Sequence, residues 1–419
     1  MRTDEPQNPQ AGRAPAELAP VRYFDRTTPP HITTLVLATA TGAVAMNIFL
    51  PSLPGMARYF EADYALVQLA VSLYLGATAI LQLAIGPASD RFGRRPVMLF
   101  CFAVFVVSTF AAIHAPTIEV LLAWRVLQAF AAAGMVLSRA IVRDTVDADS
   151  AASKIGYVTM GMTLAPMTGP TIGGLLDEHF GWQSTFYLIL VFGLVSLIVV
   201  YFDLGETKLQ RSASMAAQIR AYPELARSLR FWGYTATAAF ASGAFFAFLG
   251  GGPFVATEIL GLSPSAYGMY FALLPVGYMI GNFLAGRFSR QVGLNRMMLT
   301  GNIVALVGLA PAIPLFAFGY GHALALFGPT FFVGVGNGMT LPNANAGIVS
   351  VRPHLSGSAS GLGGALQIGG GAALSVLAGV LLSTESGPYP LLWLMLFSSL
   401  AAIVSTLYVI WVARRRGAL

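Results

Sequence analysis

Twelve stretches of this chain are each long and apolar enough to cross a bilayer, and nothing else in it constrains the fold as tightly. A membrane-crossing helix needs about 20 mostly apolar residues. The runs fall at 32–54, 65–87, 97–114, 118–142, 154–176, 184–203, 231–256, 266–286, 297–319, 323–346, 358–382 and 389–412. They do not alternate, and each is about twice the length of a barrel strand of about ten residues, so helices are predicted. Only 10% of the residues are charged. An ordinary soluble domain is nearer a quarter. The chain is therefore read as an all-α membrane protein. That reading excludes a soluble enzyme, a disordered chain and a secreted disulfide scaffold. The last also fails on Cys101, the only cysteine.

The net charge of +6 would suggest nucleic acid in a soluble protein. Here the positions of the cations argue otherwise. With the N-terminus in the cytoplasm, 22 of the 24 fall on the cytoplasmic side. Arg58 alone lies outside, and Arg125 lies within the fourth span. This asymmetry follows the positive-inside rule, predicts that both termini are cytoplasmic, and leaves no nucleic-acid partner.

Residues 1–31 are polar and Pro/Ala-rich, and are expected to be a disordered cytoplasmic tail without a cleaved signal peptide. A six-helix half follows at 32–203, a cytoplasmic loop at 204–230, a second half at 231–412 and a basic tail at 413–419. Within the loop, Met215, Ile219, Tyr222, Leu225 and Leu229 recur at helical spacing. An interfacial helix and an unstructured linker both fit that pattern. The halves also repeat. Gly86, Ser89, Gly93 and Met98 reappear as Gly286, Ser289, Gly293 and Met298, all offset by 200. Two parallel six-helix halves with a midplane site between them form a known transporter architecture.

Gly86-Pro87-Ala88-Ser89-Asp90-Arg91-Phe92-Gly93-Arg94-Arg95-Pro96 forms the loop between spans two and three. Gly86 suits close helix contact and Gly93 a tight turn. Span four carries Arg125-Val126-Leu127-Gln128, then Arg139 to Asp144. Arg125 lies about seven residues into its helix, roughly 10 Å deep, with Gln128 on the same face. A buried cation marks a functional site by default, although a snorkelling side chain at the outer interface also fits. Span five carries Gly169-Pro170-Thr171-Ile172-Gly173-Gly174, where small residues allow close packing. Asn47-Ile48-Phe49-Leu50-Pro51 ends span one.

These four patches resemble the major facilitator superfamily, and more narrowly its twelve-helix drug:proton antiporters of the Bcr/CflA type. The resemblance implies two pseudo-symmetric six-helix halves that rock around a central site. It implies a conformational lock built from Gly86, Asp90, Arg91, Gly93, Arg94, Arg95 and Arg143. In it Asp90 would bond Arg143 and the start of span eleven near Ser356-Gly357-Ser358. It implies that Arg125 and Gln128 serve coupling or substrate binding. It also implies that Gly169, Pro170, Gly173 and Gly174 pack on span eight and restrict leakage. Many relatives carry Asp where this chain has Asn47, and an amide cannot titrate. None of the 18 acids lies at the bilayer centre.

An apolar, aromatic cavity with a few polar groups suits drug-sized amphiphiles. Candidate lining residues are Phe246, Tyr278, Asn47, Asn337, Asn343 and Gln367. A single Phe in a span can equally face lipid, and Asn337 and Asn343 can instead join two helices. No metal-ligand spacing, nucleotide loop or catalytic pair is present, so no cofactor and no enzyme activity is expected. The reading is a monomeric multidrug exporter of a bacterial inner membrane, driven by a proton gradient. A metabolite exporter, an uncoupled facilitator and a transport-dead sensor are the alternatives.

Overall fold

The computed structural model describes residues 21–145, 154, 158, 168–207, 223–352 and 355–415. Eleven helices among them are long and apolar enough to cross a membrane. In chain order the helices are α1 (Ile32–Tyr59), α2 (Tyr64–Phe92), α3 (Arg94–Ile113), α4 (Ile118–Thr145), α5 (168–180), α6 (Trp182–Asp203), α7 (Leu229–Ile259), α8 (Pro264–Val292), α9 (Leu294–Ala317), α10 (Ala323–Ser350), α11 (Ser356–Leu381) and α12 (Tyr389–Arg415). Most of the predicted span 154–176 lies outside the described residues, so α5 is its visible end.

Several helices outrun their apolar stretches. The predicted 32–54 continues to Tyr59 through a 3-10 turn at Leu50–Ser52, and 65–87 continues to Phe92. Apolar length measures the hydrocarbon slab, whereas a helix stops where its backbone turns. Gly93 makes one such turn at φ 104°, and Gly293 makes its counterpart at φ 87°. Each donates its N–H to the serine four residues back, Ser89 at 3.0 Å and Ser289 at 2.9 Å. Met98 and Met298, the other repeated pair, are both fully buried. The sequence repeat is thus a repeat of backbone geometry.

Each half has its own apolar core. In the first, α1 packs on α4 and α6, and α3 on α6. In the second, α7 packs on α10, α11 and α12, and α8 and α9 both pack on α10. A further cluster runs across both halves, joining Leu53, Met56 and Val67 to Phe248, Phe254 and Tyr267. The end of the bundle that carries this cluster is called outer here, following the predicted orientation.

Of the stretch expected as a tail, residues 1–20 lie outside the described residues, and residues 21–31 are held against α6. Asp203 explains this. It is fully buried at the inner end of α6. Its carboxylate accepts from the Phe24 and His31 amides at 2.9 Å each and from the Thr34 hydroxyl at 2.6 Å. Beside it, Thr27 donates to Asp25 and holds that carboxyl below the usual carboxylate range. Asp203→Asn puts an NH2 where only acceptors fit, so the strap should loosen. A loss of about 2 kcal/mol is expected, read as a lower thermal midpoint and faster proteolysis ahead of His31.

Residues 208–222, with Met215, Ile219 and Tyr222, lie outside the described residues. Leu225 is fully buried against Phe231, Tyr234 and Met298, so it belongs to the second core and not to a membrane surface.

Candidate functional site: the seam between the halves

The two halves are fastened at the outer end. Arg58 and Glu258, themselves 200 residues apart, form an ion pair at 2.9 Å. Tyr64 Oη donates to the Gly250 carbonyl at 2.7 Å. One turn deeper, Gln68 Nε2 donates to Ser375 Oγ at 2.7 Å. Gln68 is fully buried, and its amide rests on Gly250 and Gly379. The α5 glycines close the rest. A methyl group at Gly174 would overlap the Pro264 carbonyl, and one at Gly268 the Pro170 carbonyl. Thr171 Oγ1 donates to the Gly268 carbonyl at 2.9 Å. Gly173 meets the Ile48 backbone of α1, and a methyl group at Gly169 would lie 3.7 Å from Asn47 Cβ. Backbone thus touches backbone along α1, α5 and α8, as small residues permit. A cavity of about 280 Å³ opens beside Arg58, lined in part by Pro51, Gly55, Glu258 and Ser263. It belongs to the outer rim.

At the inner end, Asp90, Arg94 and Asp144 pair within the first half, and Arg139 of α4 lies within electrostatic reach of Tyr278 of α8. The resemblance implies a bond from Asp90 to Arg143. The structure instead pairs Asp90 with Arg94 at 2.8 Å. The cause is the Gly93 turn, which folds Arg94 back over α2, where it also donates to Ser89 Oγ. Arg94 Nε takes Asp144 on α4 at 2.9 Å. Arg143, next to it, is exposed and donates to the Arg139 carbonyl at 3.3 Å. Gly86 borders open space rather than a neighbouring helix. Glu206 accepts from the Arg94 and Arg95 amides at 2.9 and 3.4 Å, capping the first turn of α3. Arg91 lies against its neighbour Phe92.

Arg125 is fully buried, which removes the snorkelling alternative. Its Nε donates to the Ala70 carbonyl at 3.0 Å. Its Nη1 donates to the Ala45 carbonyl at 3.2 Å and to Gln128 Oε1 at 2.6 Å. Gln128 passes the chain on to Thr109 at 2.9 Å. The guanidinium lies 4.3 Å from the Phe49 ring centre and 4.5 Å from that of Tyr74. Nη2 has no partner. Among the described residues no carboxylate neutralises this charge; carbonyl oxygens and aromatic rings surround it.

The other predicted residues are not gathered in one place. Asn47 is fully buried, donates to the Ala43 carbonyl at 2.7 Å, and leaves Oδ1 unpaired. Phe246 is buried, and its ring fills the gap over Gly371. Asn343 donates to Met339 of its own helix at 2.8 Å rather than to a second helix. Asn337 is buried and Gln367 half-buried. Tyr278, half-buried, lies within electrostatic reach of Arg139 across the seam. Sequence reasoning missed Gln68, Asp203 and Glu206. It also missed the buried link from Asn302 to Thr406 at 3.0 Å and Thr340 at 3.1 Å.

Comparison with known proteins adds to this geometry. The family model described as Major Facilitator Superfamily matches residues 35–366 and 252–418. An uncharacterized MFS-type transporter of Bacillus subtilis, YdgK, is 30% identical over 345 residues, 81% of this chain and 86% of that one. Multidrug resistance protein D of Escherichia coli is 29% identical, covering 85% of this chain and 90% of its own. A bicyclomycin resistance protein homolog of Haemophilus influenzae is 28% identical, covering 89% and 93%. Among solved structures, a bacterial homolog of the human lysosomal transporter Spinster superposes with a TM-score of 0.70 at 15% identity. It covers 91% of this chain and 96% of that one. The family model spans nearly the whole chain and the fold matches, and the chain belongs to the Major Facilitator Superfamily.

Proposed function

We propose that this protein is a secondary active exporter of small amphipathic molecules, working by alternating access and drawing on the proton gradient across a bacterial inner membrane. The observation that carries the reading is the asymmetry of the seam. Backbone contacts and a polar zip close it at the outer end, while the inner-end ion pairs of Asp90, Arg94 and Asp144 run within the first half. A substrate would therefore enter from the inner side, which suits export. Both termini face the cytoplasm on the positive-inside argument. Relatives named for multidrug, bicyclomycin and chloramphenicol resistance support a drug-like cargo. No acid lies at the bilayer centre, and Arg139 faces the seam opposite Tyr278, so neutral amphiphiles fit better than strong cations.

Reconstitution tests this. Liposomes carrying the protein should move a neutral lipophilic dye against an imposed pH gradient, with matching proton flux. Dye movement without proton flux would overturn antiport. No movement of either the dye or chloramphenicol would overturn export of this cargo class.

Asp90 tests the lock. When the inner end closes, Asp90 would leave Arg94 for α4 or for the N-terminus of α11. Asp90→Asn should cut turnover roughly tenfold or more, about 1.4 kcal/mol on the closing step, with insertion unchanged. Unchanged turnover removes Asp90 from the lock.

A further inference from the structure

We infer that the inner end of α6, together with the strap before α1 and the start of α3, forms a binding site for the headgroup phosphate of an anionic phospholipid. Two arginines from distant parts of the chain converge on one ring. The Arg26 guanidinium lies 4.4 Å from the centre of the Tyr201 ring and 5.9 Å from that of Phe202. The Arg95 guanidinium lies 5.4 Å from the same Tyr201 ring. Arg95 is held in place from behind. Its Nε donates to the Leu204 carbonyl at 2.8 Å and its Nη2 to the Tyr201 carbonyl at 3.2 Å. Arg26 makes no hydrogen bond or ion pair through its guanidinium among the described residues. Its backbone is fixed instead, because its carbonyl packs on Gly205 and the strap is tied to Asp203.

The nearby carboxylates are committed elsewhere. Asp203 is buried under the strap amides. Asp25 takes the amide and hydroxyl of Thr27. Glu206 is exposed but faces the first amides of α3. The Arg26 guanidinium is left without a carboxylate partner among the described residues, and a guanidinium against a ring presents its N–H edge to a phosphate.

The rings argue for a lipid rather than a free anion. Tyr201, Phe202, Tyr23 and Phe24 are 47%, 50%, 50% and 59% exposed. Such rings are at home at the headgroup level of a bilayer, where they cover glycerol and the first chain carbons. Anionic lipids concentrate in reach of basic groups at the cytoplasmic surface. The leaflet, and only the leaflet, rests on the orientation proposed above. Because Arg95 belongs to the loop of Asp90, a bound headgroup would join that loop to the strap.

The test uses the full chain in detergent, with lipid occupancy counted by native mass spectrometry. Phosphatidylglycerol should be retained well above phosphatidylethanolamine. Arg26→Gln should weaken its retention roughly fivefold. Arg26→Lys, which keeps the charge but not the planar fork, should fall between. Arg414→Gln, an exposed arginine at the inner end of α12, should change nothing. Equal losses in Arg26→Gln and Arg414→Gln would overturn the site in favour of a diffuse basic belt. So would equal retention of phosphatidylethanolamine. Displacement of the lipid by millimolar inorganic phosphate would show a phosphate-only site and overturn the lipid assignment. A thermal midpoint of Arg26→Gln matching the parent without lipid would show that the strap is intact and that the loss is one of binding.

Discussion

Replacing Arg125 with alanine should lower stability by roughly 3–5 kcal/mol, the largest loss expected from any single side chain in the first half. The change removes more than a charge. It leaves Gln128 Oε1 without its donor, in a place water does not reach, and strips the Ala45 and Ala70 carbonyls of the bond they make beyond their helices. Each buried group left unpaired adds about 1–3 kcal/mol. The guanidinium also lies over the Phe49 and Tyr74 rings, and that packing is lost as well. Arg125→Lys should recover only part of the loss. An ammonium on a flexible stem cannot span two carbonyls and an amide at once, nor stack on rings as a plane does. Thermal unfolding in detergent measures both variants. A midpoint for Arg125→Ala equal to that of the parent would remove this hub from the account of the fold, and with it the reason for so costly a residue to sit there.

Gly268→Ala should reduce transport roughly tenfold or more while leaving insertion and yield intact. The added methyl group meets the Pro170 carbonyl, which is backbone and cannot swing aside. Overpacking of this kind costs about 1–3 kcal/mol, and the cost falls only on the state whose outer seam is closed. The balance of states therefore shifts toward the open seam. With Cys101 replaced by serine, a cysteine at Leu262 on the outer rim should then react faster with an impermeant maleimide added outside. Gly286→Ala supplies the control, because a methyl group there meets nothing within 4 Å. If both variants transport alike, close approach at Gly268 is not part of the cycle.

What could be read from the sequence was whatever repeats or scans by composition. Apolar length placed the spans, and the offset of 200 found Gly93 and Gly293, whose φ values of 104° and 87° make the same turn. Helix ends were less legible. Charged and polar residues carry α2 and α8 well past the hydrocarbon edge before a glycine stops them. Partners were the least legible. Asp90 and Arg143 stand in the expected motifs, yet Arg94 lies nearer to Asp90 because one backbone turn brings it back. In the sequence Asp203 is one acid at a helix end. Its worth comes from backbone amides 172 and 179 residues away in sequence, and amides carry no signal in side-chain patterning. Gln68 was passed over for a similar reason, since its neighbours Gly250 and Gly379 matter by lacking side chains.

The twin glycine turns carry one more consequence. Three residues before each lies an equivalent position, and it holds Asp90 in the first half and Arg290 in the second. Backbone and turn are duplicated there, while the sign of the charge is inverted. Two identical halves would set like charges at the matched corners, and the two turns would recruit the same kind of partner. An anion at one corner and a cation at the matched corner let a duplicated scaffold take different partners in its two halves.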